Sequence, residues 1–306
     1  MSILKLTPAC KEYLWGGTKL ITDYGKQYTG ERLAETWELS CHPDGPSVIA
    51  EGADAGRTLA DYLAAHSEAL GKRGQCSAGF PILIKLIDAA EDLSVQVHPD
   101  DAYARAREGQ NGKTEMWYIL SAEPDSFLYC GFERDVSKEE FARRIADGTL
   151  LEILSRVKVR AGDVVFVPAG TIHAIRRGIM VAEVQQSSSV TYRVCDYGRL
   201  GADGKPRALH IAQALDVTRR SSGVPTQDCG GHLACCEYFT VDLLAAPQMT
   251  VCGEESFLAL LVLDGEGTVA CGSETVTAKK GETLFVSAGS GEVRLRGSLR
   301  VLAVRV

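Results

Sequence analysis

The chain has 306 residues, 45% apolar and 24% charged, the balance of a folded soluble protein long enough for one large or two ordinary domains. Its 33 basic and 40 acidic residues leave a net charge of −7, which argues against a nucleic-acid partner, because neutralising phosphates takes clustered Lys and Arg. No apolar run approaches the roughly 20 residues of a membrane span, and MSILKLTPACKEYLW lacks a signal peptide's long apolar stretch, so a cytoplasmic protein acting on small molecules is expected.

In chain order, SVIAEG predicts a strand and TLADYLAAHSEAL a helix from Thr58. ILIKLIDA and LSVQVH then read as strands, DDAYARAREG as a helix from Asp100, and EMWYIL and SFLYCGF as strands again. SKEEFARRIADG has a full set of helix signals: Ser137 as N-cap, Glu140 three residues on, and Gly148 to stop it. The strands DVVFVPAG, IMVAEVQQ and VTYRVCDYG follow, then a helix from Arg207 in RALHIAQALDV. FLALLVLDGEGTVA has the shape of a hairpin, and ETLFVSA and GEVRLRG close the chain. Helices inserted among short strands, without regular βαβ alternation, disfavour a Rossmann or TIM arrangement and predict a mainly β, antiparallel protein.

The ten cysteines are scattered and form no CxxC, so they read as reduced, mostly buried small hydrophobes, with Cys195 the one lying near arginines. Gln96 and His98 stand two apart, hence on one face of a strand, and Glu115 follows seventeen residues later. GDVVFVPAGTIHAI reads G-x5-P-x-G-x2-H: Gly162 leads into a strand, Pro168 and Gly170 reverse the chain, and His173 opens the return strand. That spacing resembles the second signature of cupin barrels. A helical insertion delays the glutamate of the first signature to Glu115, and Gln96 replaces its first histidine.

A fainter copy follows in KGETLFVSAGSGEVRL, with Gly281, Ser287, Gly289 and Glu292 at the matching spacing, so Glu292 takes the place of His173. The expected architecture is two cupin-type jelly-roll barrels with helical insertions: residues 1–225 as a metal-binding domain and 226–306 as a metal-free one, joined in the loop-like stretch 221–231. Gln96, His98, Glu115 and His173 can converge in one barrel mouth and hold a divalent metal through two nitrogens and two oxygens. Structural zinc usually recruits thiolates, and none of the cysteines belongs to the set, so an open catalytic site fits better. Taken singly, His98 reads as a turn residue before Pro99 and His173 as a satisfied strand histidine.

WGGTKL, LAETWELSCHPDGPS, LSVQVHPDDAYA, GKTEMWYIL, VPAGTIHAI and VAEVQQSSSVTYRVCDYGR, in order over residues 15–199, resemble the short bacterial form of type I phosphomannose isomerase. The likeness continues more weakly to the C-terminus. It implies a cytoplasmic isomerase of mannose 6-phosphate and fructose 6-phosphate, a monomer or weak homodimer, with one Zn2+ per chain on Gln96, His98, Glu115 and His173. Two positions depart from the pattern: Ser189 stands where an aspartate is expected, and Cys195 where a tyrosine is common.

Aldose–ketose interconversion moves a proton between C1 and C2 through a cis-enediol, which calls for a Lewis acid and a base within reach of the carbon-bound proton. Glu183, on the strand after His173, is the candidate base and matches an acidic family position. The resemblance implies a catalytic part for Arg193. Lys113, two residues before Glu115, could shuttle a proton or hold phosphate, and the resemblance links Lys85 and Ser94 to substrate phosphate. Local sequence leaves bland alternatives open: an exposed carboxylate at Glu183, a water-facing strand residue at Arg193, a loop lysine at Lys113, a snorkelling lysine at Lys85 and core packing for Trp15 and Trp37. A non-catalytic sugar-binding cupin is the alternative function, with less need to keep Lys113, Glu183 and Arg193. An iron dioxygenase is disfavoured by glutamine at position 96.

Overall fold

The computed structural model describes residues 3–77, 79–201 and 204–306, and strands carry most of its regular structure, as the mainly β expectation requires. The chain divides into two compact units: one from the stretch ending at Lys11, Thr18–Leu86 and Asp228–Val306, the other from Glu12–Gly17 and Ile87–Gln227. The strands lie in open sheets and do not close into barrels. Among the described residues no helix is long and apolar enough to cross a membrane.

The first unit holds a seven-stranded and a four-stranded sheet. Leu258, Leu260 and Val262 alternate along one strand and meet Leu284, Val286, Val293 and Leu295 in an aliphatic core. Each such side chain, fully buried, contributes about 1.5–3 kcal/mol. The N-terminal strand Ile3–Thr7 pairs with the C-terminal Thr283–Val286, Ile3 opposite Val286. The hairpin expected at FLALLVLDGEGTVA does not form. Leu258–Asp264 joins the seven-stranded sheet and Glu266–Cys271 the four-stranded one, because the chain changes sheet at Gly265, where an added Cβ would collide with the Ser298 carbonyl.

The helix from Thr58 is also shorter than its pattern. Thr58 caps Leu59–Ala65 by accepting from Asp61 N–H, but the helix breaks at His66 and resumes as a 3-10 turn, Ser67–Leu70. The Ala69 and Leu70 carbonyls accept from Ala288 and Phe257 instead of continuing a helical ladder, so tertiary pairing overrides local propensity.

In the second unit a five-stranded sheet runs in the order Tyr192–Cys195, Val95–Val97, His173–Ala174, Phe127–Phe132, Leu154–Lys158. Beside it in the same unit, Val164–Val167, Glu115–Ala122 and Ile179–Gln186 pair in that order. The core here is Val95, Val97, Phe132, Phe141, Ile172, Tyr192 and Val194, with Ile211, Leu215 and Val217 of the helix Ile211–Val217 packed against it. Ser137 caps its helix as expected, accepting from Glu140 N–H, and Asp100 is the N-cap of Asp101–Glu108, accepting from Tyr103 N–H.

Candidate metal centre

The sixteen residues between His98 and Glu115 close on themselves. Asp101–Glu108 forms the inserted helix, and the chain then comes back so tightly that a Cβ on Gly112 would lie 2.5 Å from the backbone of Asp100 and Asp101. Gly112 N–H donates to Asp101 Oδ1 and Lys113 N–H to Pro99 O, so Glu115 starts its strand beside His98. The second signature acts as a corner. Val167 is the neighbour of Glu115 in one sheet; Gly170, at φ 85° and with its N–H on the His98 carbonyl, turns the chain; and His173 enters the other sheet opposite Gln96. The expected return strand is therefore a crossing between sheets, and the crossing is what aims His173 at Glu115.

The ligand atoms of His98, Glu115 and His173 lie within 4.8 Å of one another, and theirs is the one such His/Cys/Asp/Glu group of three or more among the described residues. Glu115 Oε2 is 3.6 Å from His98 Nε2, and Oε1 is 3.3 Å from His173 Nε2. Ligands bound at 2.0–2.2 Å to a tetrahedral ion stand about 3.4 Å apart, so these spacings fit one ion. Each imidazole has its other nitrogen fixed: His98 Nδ1 lies 2.9 Å from Val190 O and His173 Nδ1 2.8 Å from Thr171 O. A proton on Nδ1 satisfies each carbonyl and leaves Nε2 as the acceptor. His173 Nε2 is buried with no hydrogen-bond partner among the described residues. Burial outweighs the Thr171 carbonyl and pushes the His173 pKa down to about 4, which keeps the ring neutral, the form a metal ion takes.

Across the sheet Gln96 stands directly opposite His173 on one side and Arg193 on the other, which puts the three side chains in a row on one face. In the neighbouring strands Gln185 opposes Glu115, and Glu183 opposes Trp117. Trp117 Nε1–H donates to Glu183 Oε1 at 3.0 Å, and its ring meets the His173 ring edge-on at 5.3 Å. Lys113 Nζ sits 3.1 Å from Glu115 Oε2 and 3.3 Å from His98 Nε2.

The chain has relatives over nearly its full length. Residues 3–127 fit the model of the phosphomannose isomerase type I catalytic domain, and residues 231–306 that of the mannose-6-phosphate isomerase cupin domain. The chain is 38% identical to mannose-6-phosphate isomerase of Streptococcus mutans and 37% identical to mannose-6-phosphate isomerase ManA of Bacillus subtilis, over 95% of this chain and 94% of each relative. The crystal structure of mannose 6-phosphate isomerase from Bacillus subtilis superposes with a TM-score of 0.92 at 34% identity, over 100% of both chains.

The chain belongs to the type I phosphomannose isomerase family. It is accordingly an isomerase, and its sequence-predicted residues can be placed one by one. Glu183, Lys113 and Ser94 are buried, at 3%, 5% and 5% exposure, which rules out an exposed carboxylate at Glu183; Lys113 does lie in the loop just before the strand Glu115–Ala122, but its side chain is buried there. Ser94 directly precedes the Val95–Val97 strand and, two residues before Gln96, shares its face. Arg193 is half-buried: Nη1 donates to Ala208 O at 3.0 Å, and Nε is buried without a hydrogen-bond partner among the described residues. Burial first, and then the charge of Arg207, lowers its pKa. Lys85 belongs to the first unit, where its Nζ is 3.6 Å from Glu35 Oε2 and 5.3 Å from the Trp37 ring centroid; it is 7% exposed, so it does not snorkel. Trp15 and Trp37 are buried, as core packing requires.

In this chain, sequence reasoning passed over Trp117 and Gln185. The signal was available, since each lies two residues along a strand from a named site residue and so shares its face. Of the two departures, Ser189 is exposed and bonds to Gln110 Oε1, and Cys195 lies opposite Val95 at the end of its strand.

Proposed function

We propose that this isomerase interconverts mannose 6-phosphate and fructose 6-phosphate through a cis-enediol, with one Zn2+ per chain on Gln96, His98, Glu115 and His173. The observation that carries the reading is the buried His98–Glu115–His173 cluster with both Nδ1 atoms pinned to carbonyls and His173 Nε2 left without a hydrogen-bond partner among the described residues. When bound, the ion would supply Lewis acidity toward a substrate oxygen and offset the charge that develops on the enediolate.

The chain's own groups do the rest. Glu183 removes the C2 proton of the open-chain aldose and returns it at C1, its carboxylate held in place by Trp117 Nε1–H. Lys113 shuttles the proton between the O1 and O2 oxygens. Its contacts to Glu115 and His98 favour that role over a phosphate contact, because they keep the ammonium among the ligand atoms. Arg193 stabilises the enediolate charge, and its unpartnered Nε–H is a donor available to a substrate oxygen. Ser94 and Lys85 are proposed as phosphate contacts on the family resemblance, and residues 226–306 as a metal-free domain with a structural part.

The test is a coupled assay on mannose 6-phosphate before and after chelation. We expect activity to disappear with the metal and to recover when Zn2+ is added back. Full turnover by protein shown to be metal-free would falsify the proposal.

A further inference from the structure

We propose that His210 is a positioning residue for Arg193, fixing the guanidinium that stabilises charge in the reaction; this rests on the catalytic part proposed for Arg193. Arg193 lies on the edge strand of its sheet, opposite Gln96 on the inner side. Among the described residues its outer side has no further strand to hold it. The segment Ala208–His210 takes that place through three bonds. His210 N–H donates to Arg193 O at 2.8 Å, Arg193 N–H donates to His210 Nδ1 at 3.2 Å, and Arg193 Nη1 donates to Ala208 O at 3.0 Å. Backbone and guanidinium are thus both tied to one short segment.

The imidazole is diverted from the task its position would normally give it. His210 is the N-cap of the helix Ile211–Val217, where a side chain usually accepts from the first-turn N–H groups, yet it makes no cap hydrogen bond. Its ring turns to the strand instead. A capping rule broken at one residue, with the helix still packed through Ile211 and Leu215, is the pattern expected where local stability yields to function. Accepting from Arg193 N–H requires Nδ1 to be unprotonated, so the neutral ring carries its proton on Nε2. Burial, then the Arg193 charge, holds the His210 pKa below the ordinary histidine value, which favours that form. The same segment explains why the helix predicted from Arg207 begins only at Ile211: Ala208 and His210 hydrogen-bond to Arg193 instead of entering a helical ladder.

The experiment compares the parent with His210→Ala, His210→Asn, Arg193→Ala and the double variant carrying both alanines, as metal-replete full-length enzyme. Asparagine places its Oδ1 close to where Nδ1 sits and also suits an N-cap, so it keeps the acceptor. We expect His210→Ala to lose roughly tenfold in kcat, the scale of a displaced catalytic group, with KM and metal content moving far less. His210→Asn should recover most of that loss. In the Arg193→Ala background the further change His210→Ala should cost nothing in kcat, because a residue acting through Arg193 has nothing left to position. Parental kcat in His210→Ala, the same tenfold loss in the Arg193→Ala background, or no recovery by asparagine would each overturn the assignment. Parental kcat in Arg193→Ala would overturn the role of Arg193 and with it that of His210, whereas an impaired Arg193→Ala with additive losses removes His210 alone.

Discussion

The corner from Gly162 to His173 and the corner from Gly281 to Glu292 share one backbone plan and carry different chemistry. In each, a four-residue strand, Val164–Val167 or Thr283–Val286, leads to a glycine with positive φ, Gly170 at 85° or Gly289 at 75°, and the chain enters a second sheet. At the matching place His173 is fully buried and pinned through Nδ1, whereas Glu292 is exposed and pairs with Arg294 at 2.6 Å. The residues around them differ in the same sense. Glu115, Glu183 and Gln185 are buried on the strands near the first corner, with Lys113 buried just before one of them, and Leu258, Leu260, Leu284 and Val293 are buried near the second. Desolvating an ion costs several kcal/mol unless its partners are well placed, while each buried aliphatic contributes about 1.5–3 kcal/mol. The glycines build the corner; the facing residue and what stands across from it decide whether the corner can hold a metal.

The largest effect should come from breaking the first corner at its histidine. His173→Ala removes one of the three clustered candidate ligands and leaves Glu115 buried beside a gap. We expect zinc to fall from about one per chain to near none, and isomerase activity to fall with it. Elemental analysis beside the assay decides it, and a variant that retains its zinc would remove His173 from the ligand set.

How much of this was legible in the sequence follows from the range of the interactions. Helix caps at Thr58, Asp100 and Ser137 and the turn at Gly170 rest on spacings of a few residues, which the chain displays directly, whereas the convergence of His98, Glu115 and His173, distant in sequence, was legible only through their places in two cupin-like signatures. The break at His66 does not show, because the partners that take the Ala69 and Leu70 carbonyls, Ala288 and Phe257, lie nearly two hundred residues away in sequence or more. The pairing of Ile3 with Val286 is hidden for the same reason. Local pattern specifies which face of a strand is buried, but not which strand it will meet.

Arg193→Ala should rank second. If its guanidinium meets charge that exists only on the way to the enediolate, kcat should fall about 10²-fold while metal content holds, the scale for removing one preorganised donor. Lysine should rescue little, because a single ammonium does not reproduce the planar fork. Near-normal kcat with a raised KM would recast Arg193 as a phosphate anchor.

Trp117→Phe is a finer cut at the same corner. It keeps a ring against His173 and deletes only the N–H that holds Glu183 Oε1. A hydrogen bond to a charged group is worth about 1.5–3 kcal/mol, so we expect roughly a tenfold loss in kcat with zinc unchanged. Loss of zinc in this variant would show instead that the indole mainly supports the ligand.

The smallest effect should appear at the second corner, and it tests the comparison most directly. Glu292 is exposed, and its pair with Arg294 is a surface ion pair of the kind that contributes about 0–1 kcal/mol. Glu292→Ala should therefore leave zinc content and kcat at parental values and move Tm by no more than about 2 °C. Glu292→His is the sharper variant, because it restores the imidazole at the matching place. On the solvent face, without a carbonyl fixing Nδ1 or a buried carboxylate nearby, that ring lacks what fits His173 to be a ligand, and zinc should stay at the parental level, expected to be about one per chain. A second equivalent of zinc in Glu292→His would mean that the corner alone is enough, and that the buried groups around His173 are not required.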